Sequence, residues 1–349
     1  MSASRQASAP PAPKEQLPAP PPWLCALQGE VGALLSTPPA LRQGRLEVPP
    51  ASAQLLAALA PAQVSAAAQL KIYQEQCWMR FFQSAQEQHR YTLRAIGPWA
   101  MNQFAMLSLR QFPPRGRDLG ALFAPLNTAL KSALWRLLSA LPESPKDPSG
   151  APPSLRRLVA LIPPSLPLKA LRPRCPAPLR DDPWVGALLK RPTPLGLFDQ
   201  ALRFDEAVHR AFSAPAPQSW APSAEALQQL SRQRLILSPS LQLLKESWLA
   251  LAVGQKESPA EELTLQRRHP PRLWVSWRSA EGPALAQLSP SAAALIEGSR
   301  RAPLRTLCAQ LPRRRLPPLD EEALEALVQR GVRRGWWIGA ADPPHSEAS

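Results

Sequence analysis

Residues 272–298 read RLWVSWRSAEGPALAQLSPSAAALIEG, and their patterning decides the fold of the C-terminal part of the chain. RLWVSWR (272–278) alternates with the two-residue period of a strand, and residues 284–288 follow as its hairpin partner. Ser289 then stands at an N-cap with Pro290 at the first helical position, and Gly298 stops that helix. Residues 303–310 make a second helix. Asp320 caps a third, with Leu324, Leu327 and Val328 turned inward, and Gly335 leads into an apolar strand at 336–338. Two strands, three helices and a closing strand are the order of a small α+β, winged-helix-like module, bounded at 263–340.

Outward from that module the pattern is helical. Apolar residues at steps of three and four predict helices over 23–35, 66–96, 98–110, 118–141, 197–212 and 223–233, with a further one at 241–251. Gly97 closes the helix of 66–96 as a C-cap glycine, and Pro98 suits the first turn of the next. Between 142 and 194 the pattern breaks into proline-separated fragments. There Arg156, Arg157, Lys169, Arg172, Arg174, Arg180, Lys190 and Arg191 outweigh Asp181 and Asp182, which reads as a linker or insertion. The expected architecture is mainly α. It comprises a disordered tail at 1–21, a helical domain in two parts (22–141 and 195–256) around the linker 142–194, the α+β module at 263–340, and a disordered end at 341–349.

The totals agree with a folded chain carrying long connections. Apolar residues make up 45% of 349, enough for a core, while 45 prolines stand against a usual share of about 5% and cannot occupy helix interiors. Lys plus Arg exceed Asp plus Glu by 15, which favours an anionic partner unless the excess of arginine is compositional. Cys25, Cys77, Cys175 and Cys308 lie far apart without a CxxC pair, so neither a disulfide framework nor a zinc knuckle is written here. No stretch approaches the roughly 18 apolar residues of a membrane span, and the cytoplasm is the expected compartment.

Two stretches carry a family resemblance. One is LKIYQEQCWMRFFQSAQEQHRYTLRAIGPWAMNQFAMLSLRQFPP (70–114), with Ile72-Tyr73, Ile96-Gly97 and Phe112-Pro113-Pro114. The other is FDQALRFDEAVHRAFSAP (198–215) followed by LILSPSLQLL (235–244), with Phe212-Ser213-Ala214 and Pro239-Ser240-Leu241. In these features the chain resembles the HvfC/BufC proteins over most of 23–301, departing from them at 142–194. The resemblance implies an N-terminal domain catalogued as DNA-binding and a partner role beside iron-dependent oxidases that modify a ribosomally made precursor peptide. It also implies a C-terminal module similar to the peptide-recognition elements of such pathways.

Catalytic chemistry finds little support in the residues. No Walker A, GxGxxG, HExxH or GxSxG string occurs. Glu206 and His209 form one Glu-x-x-His pair, but a di-iron bundle needs two with further glutamates, so an ordinary ion pair is the expectation. His89, His269 and His345 lack clustered partners. No cofactor, no metal and no enzymatic activity are expected.

The third helix of the module bears Asp320, Glu321, Glu322 and Glu325, and carboxylates there oppose insertion into a DNA groove. An added peptide strand needs no such charge. The expected peptide site is therefore a cleft between the strand 273–278 and the helix 320–330, lined by Leu273, Trp274, Trp277, Arg278, Leu324, Leu327 and Val328; the tryptophans have core packing as their alternative. Arg156, Arg157, Arg172, Arg174, Arg313, Arg314, Arg315, Arg330, Arg333 and Arg334 are the candidates for an acidic partner or nucleic acid. The expected function is a non-catalytic adaptor that binds a precursor peptide, a peptide-modifying metalloenzyme, or both, with DNA binding as the alternative.

Overall fold

The structure is a computed structural model and describes residues 21–42, 45–59, 64–112, 123–142, 153–216, 220–248 and 267–341. The expected tails, up to residue 20 and from 342, lie outside the described residues. The chain forms two compact units, 1–78 and 79–349.

In the first unit, α1 (Pro22–Ser36) opens on a proline at its first position and precedes a short hairpin, β1 (Ala40–Arg42) and β2 (Arg45–Glu47). Next comes α2 (Ala53–Ala57), where the Ser52 side chain accepts the Leu55 N–H as an N-cap. The first part of α3 (Ala66–Gln88) completes the unit. Gln74 is buried, and its amide donates to the carbonyls of Leu34 and Pro49 at 3.4 and 3.2 Å, tying α3 to the segments before it.

The second unit takes the rest of α3, then α4 (Arg90–Ile96), α5 (Pro98–Gln111) and α6 (Phe123–Ser139). The short helices α7 (Leu155–Ala160), α8 (Ala177–Arg180) and α9 (Pro183–Leu188) follow, with a 3-10 turn at Leu168–Arg174. The long α10 (Leu195–Ser213) and the short α11 (Ala224–Gln229) lead to the strands β3 (Arg234–Leu237), β4 (Gln242–Trp248), β5 (Arg267–Ser279) and β6 (Gly282–Leu288). The chain then runs through α12 (Pro290–Gly298), α13 (Leu304–Gln310), α14 (Glu321–Arg333) and β7 (Trp337–Ala341). Helix predominates, with a small sheet region toward the C-terminus. The helical core is built by Phe104 of α5, Leu130, Leu134 and Leu137 of α6, and Phe198 and Phe204 of α10, all at most 1% exposed.

Three expectations are corrected. The helix of 66–96 breaks at His89, whose backbone (φ −120°, ψ 49°) leaves the helical region. A new helix starts there because Asp205 of α10 takes the N–H groups of Tyr91 and Thr92 that a continuing helix would have bonded internally.

The segment 142–194, over its described part 153–194, is packed protein and not a linker: Leu168, Leu171, Val185 and Leu188 are fully buried. Several of its prolines fall at helix starts, as Pro183 does at the first turn of α9 and Pro194 before α10, where the missing N–H costs nothing. Asp182 caps α9 by accepting the N–H groups of Trp184 and Val185 and also binds Arg136 of α6, at 2.6 Å.

Residues 242–248, expected as part of a helix, are the strand β4. Leu244, Glu246 and Trp248 are buried while Lys245 is exposed, a period of two that the leucine-rich spelling conceals. The rest of that predicted helix, 249–251, lies outside the described residues. α10 takes part in the helical core and also lies against the C-terminal sheet, as its contacts below show.

Candidate functional site

The sheet is antiparallel in the order β4-β5-β6, with Leu244 opposite Trp274 and Leu273 opposite Leu288. β3 and β7 form a separate antiparallel pair. Successive side chains of β5 point to opposite faces. Val275 and Trp277, with Leu273 partly buried beside them, join Leu295 and Ile296 of α12, Leu324, Leu327 and Val328 of α14, and Trp336 and Trp337 in one core. Trp274 joins Leu197, Ala201, Phe204 and Ala207 of α10, with Tyr91, Leu244 and Trp248, in another. The sheet is thus covered on one face by α10 and on the other by the C-terminal helices.

That arrangement closes the cleft expected between 273–278 and 320–330. Trp277 and the three α14 side chains share a core, and β5 is the central strand, so it has no margin beside Leu273–Arg278 to offer. Trp274 is 6% exposed and donates its indole N–H to Glu246 Oε2 at 2.8 Å, and Trp277 is 5% exposed. Both apolar bodies are packed inside the fold, and the Trp274 indole N–H is also satisfied there. Arg278 donates to the Phe212 carbonyl at 3.3 Å and lies 6.0 Å over the Phe212 ring.

The main chain of the sheet offers something else. The Arg278 N–H donates to Ser240 Oγ, on the β4 side of the strand, so Arg278 and its partner Pro283 form a non-hydrogen-bonded pair. By the period of two, the N–H and C=O groups of Leu285 and Gln287 point outward from β6, and among the described residues nothing pairs with them. Edges of native sheets are commonly blunted by charges, prolines or cover. β6 (GPALAQL) has a proline at its start and no charged side chain. The opposite edge differs, since β4 carries the exposed Lys245 and its Ser247 N–H is taken by Gln200 Oε1 at 2.6 Å. This edge was missed in the sequence because attention falls on tryptophans, although the uncharged run 282–288 was there to see.

The acidic residues of α14 are exposed. Asp320 caps the helix by accepting the Ala323 N–H at 2.7 Å, and Glu321 pairs with Arg305. Arg313, Arg314 and Arg315 sit exposed after α13, and Arg330 and Arg333 are exposed on α14. Arg334 stacks instead on Trp277 and Trp336, 5.7 and 5.6 Å from their ring centres. Arg156 and Arg157 lie on α7 and Arg172 and Arg174 on the 3-10 turn, all exposed. The candidate arginines are therefore spread over several elements and not gathered on one helix.

Glu206 pairs with Lys131 and Arg210, while the His209 ring stacks on Phe123 at 3.7 Å, which in turn stacks on His89 at 4.4 Å. Burial holds His89 down to about 3, the His209 charge adding to this and the hydrogen bond to the Ala85 carbonyl opposing it. Burial likewise pushes Asp205 up to about 7 against the hydrogen bonds from Thr92 and Tyr91. Among the described residues no three His, Cys, Asp or Glu side chains are grouped to hold a metal ion, and no helix is long and apolar enough to cross a membrane. No protein-family model, no curated protein and no solved structure matches this chain.

Proposed function

We propose that the protein is a non-catalytic adaptor that binds an extended polypeptide as an added strand on the outer edge of β6. The three-stranded sheet followed by α12, α13 and α14 is read as a winged-helix-like, peptide-recognition module, and the polypeptide as a ribosomally made precursor peptide presented to a peptide-modifying metalloenzyme. The observation that carries this reading is the unguarded margin at Leu285 and Gln287, where outward N–H and C=O groups stand in a row without charge to repel a partner strand. Main-chain hydrogen bonds then supply affinity, and the flanking side chains Pro283, Leu285 and Gln287 supply selectivity.

The test is calorimetric titration of the whole chain with the precursor peptide encoded beside it, comparing the native protein with Gln287→Pro. That substitution removes one outward N–H and leaves the ladder to β5 intact. The expected result is an affinity loss of about tenfold or more at unchanged thermal stability. Equal affinities would remove this site. Sequence-selective binding of duplex DNA, falling steeply with salt and accompanied by no peptide binding, would favour the DNA reading.

A further inference from the structure

A cavity of about 400 Å³ opens between α5 and the segment 172–190, within the range of about 300–1,000 Å³ usual for ligand sites. Its apolar wall is formed by Met106, Leu107 and Leu189, and its charged rim by Arg172, Arg180 and Lys190, which come from three different elements. No described carboxylate is paired with any of these three cations. Of the two aspartates beside them, Asp182 is engaged by Arg136 and by the first turn of α9, which leaves Asp181 as the one free opposing charge among the described residues of the rim. The wall is held tightly: a Cβ on Gly186 would stand 2.6 Å from the Arg180 carbonyl oxygen, so α8 and α9 approach closely enough to place Arg180 at the mouth only because residue 186 is glycine.

Charge and apolar surface together narrow the ligand. A polyphosphate is poorly served by an apolar wall, and among the described residues no aromatic side chain lines the cavity to stack a base. A carboxylate beside an aliphatic or aromatic group satisfies both halves. We infer that this cavity binds an acidic, apolar segment of a polypeptide, its carboxylate held by Arg172, Arg180 and Lys190 and its neighbouring side chain laid against Met106, Leu107 and Leu189. The inference stands independently of the β6 edge, because helical elements alone build the site.

The chain has four methionines, and Met106 is the one in the cavity, so methyl-labelled methionine spectra of the full chain report on it directly. The probe is the peptide acetyl-Leu-Glu-Phe-Glu-Leu-amide. The expected result is a saturable shift of the Met106 methyl signal with Met79 unmoved, and the buried Met101 signal serves as the check on folding in every variant. Arg172→Gln combined with Lys190→Gln should weaken binding about tenfold or more, and Asp181→Asn should tighten it a few-fold. An unmoved Met106 signal at millimolar peptide would overturn the inference. So would unchanged affinity in the double variant, or a shift produced by inorganic phosphate but not by the peptide.

Discussion

Asp205, buried in α10, accepts the backbone N–H of Thr92 at 2.8 Å, and its second oxygen takes the Tyr91 N–H at 2.9 Å, so a helix distant in sequence supplies the cap that α4 lacks of its own. Beside this cap lies the His89, Phe123 and His209 ring stack. Burial therefore isolates an acid and an imidazole near the same helix start, and shifts them in opposite directions.

Those two shifts predict opposing pH dependences. The folded state favours protonated Asp205, so its contribution is full below about pH 4 and is lost as the pH rises toward about 7. His89 has a folded value of about 3, so its contribution is lost as the pH falls from about 6.5 toward that value. Relative to the native protein, Asp205→Asn should gain stability as pH rises between about 4 and 6.5, and His89→Phe should lose it over the same window. Urea unfolding across that range checks both, and parallel curves would contradict the assignment.

Removing the cap altogether leaves two buried N–H groups without acceptors. Asp205→Ala should destabilise the protein by about 2–4 kcal/mol at acid pH, measured by denaturant midpoint.

Gly331 of α14 lies against the Trp337 ring, and an added Cβ would sit 2.0 Å from it. Alanine there gains helix propensity of about 1 kcal/mol but must displace the indole from the core, so Gly331→Ala should destabilise by about 1–3 kcal/mol net and alter the near-ultraviolet dichroism of the tryptophans.

Asp182 joins α6 to α9 through Arg136. Backbone N–H groups and Arg136 hold its carboxyl below the usual range against the cost of burial. Asp182→Ala should cost about 1–2 kcal/mol near neutral pH, and Asp182→Asn less, because the amide oxygen can still cap α9. The difference should shrink as pH falls through the carboxylate range, a trend that thermal unfolding will show.

What the sequence disclosed follows its local physics. The starts of α12 and α14 were legible because Ser289 and Asp320 cap helices through atoms three residues away, and the β5–β6 hairpin was legible because alternation is local. β4 was hidden because QLLKESW satisfies three- and four-residue steps as well as two-residue ones. The folded character of 153–194 was hidden because proline at a helix start and proline in a linker are spelled alike. The core roles of Trp274 and Trp277 depend on α10 and α14, whose approach no local pattern encodes. Nor does composition reveal which phase of β6 faces outward; the Arg278 to Ser240 hydrogen bond sets it.

Amide hydrogen exchange at Leu285 and Gln287, with and without saturating precursor peptide, tests strand addition on β6 most directly. The expected result is fast exchange at both positions in the free protein and slowed exchange at both in the complex. Binding that leaves both amides exchanging at the free rate would contradict it.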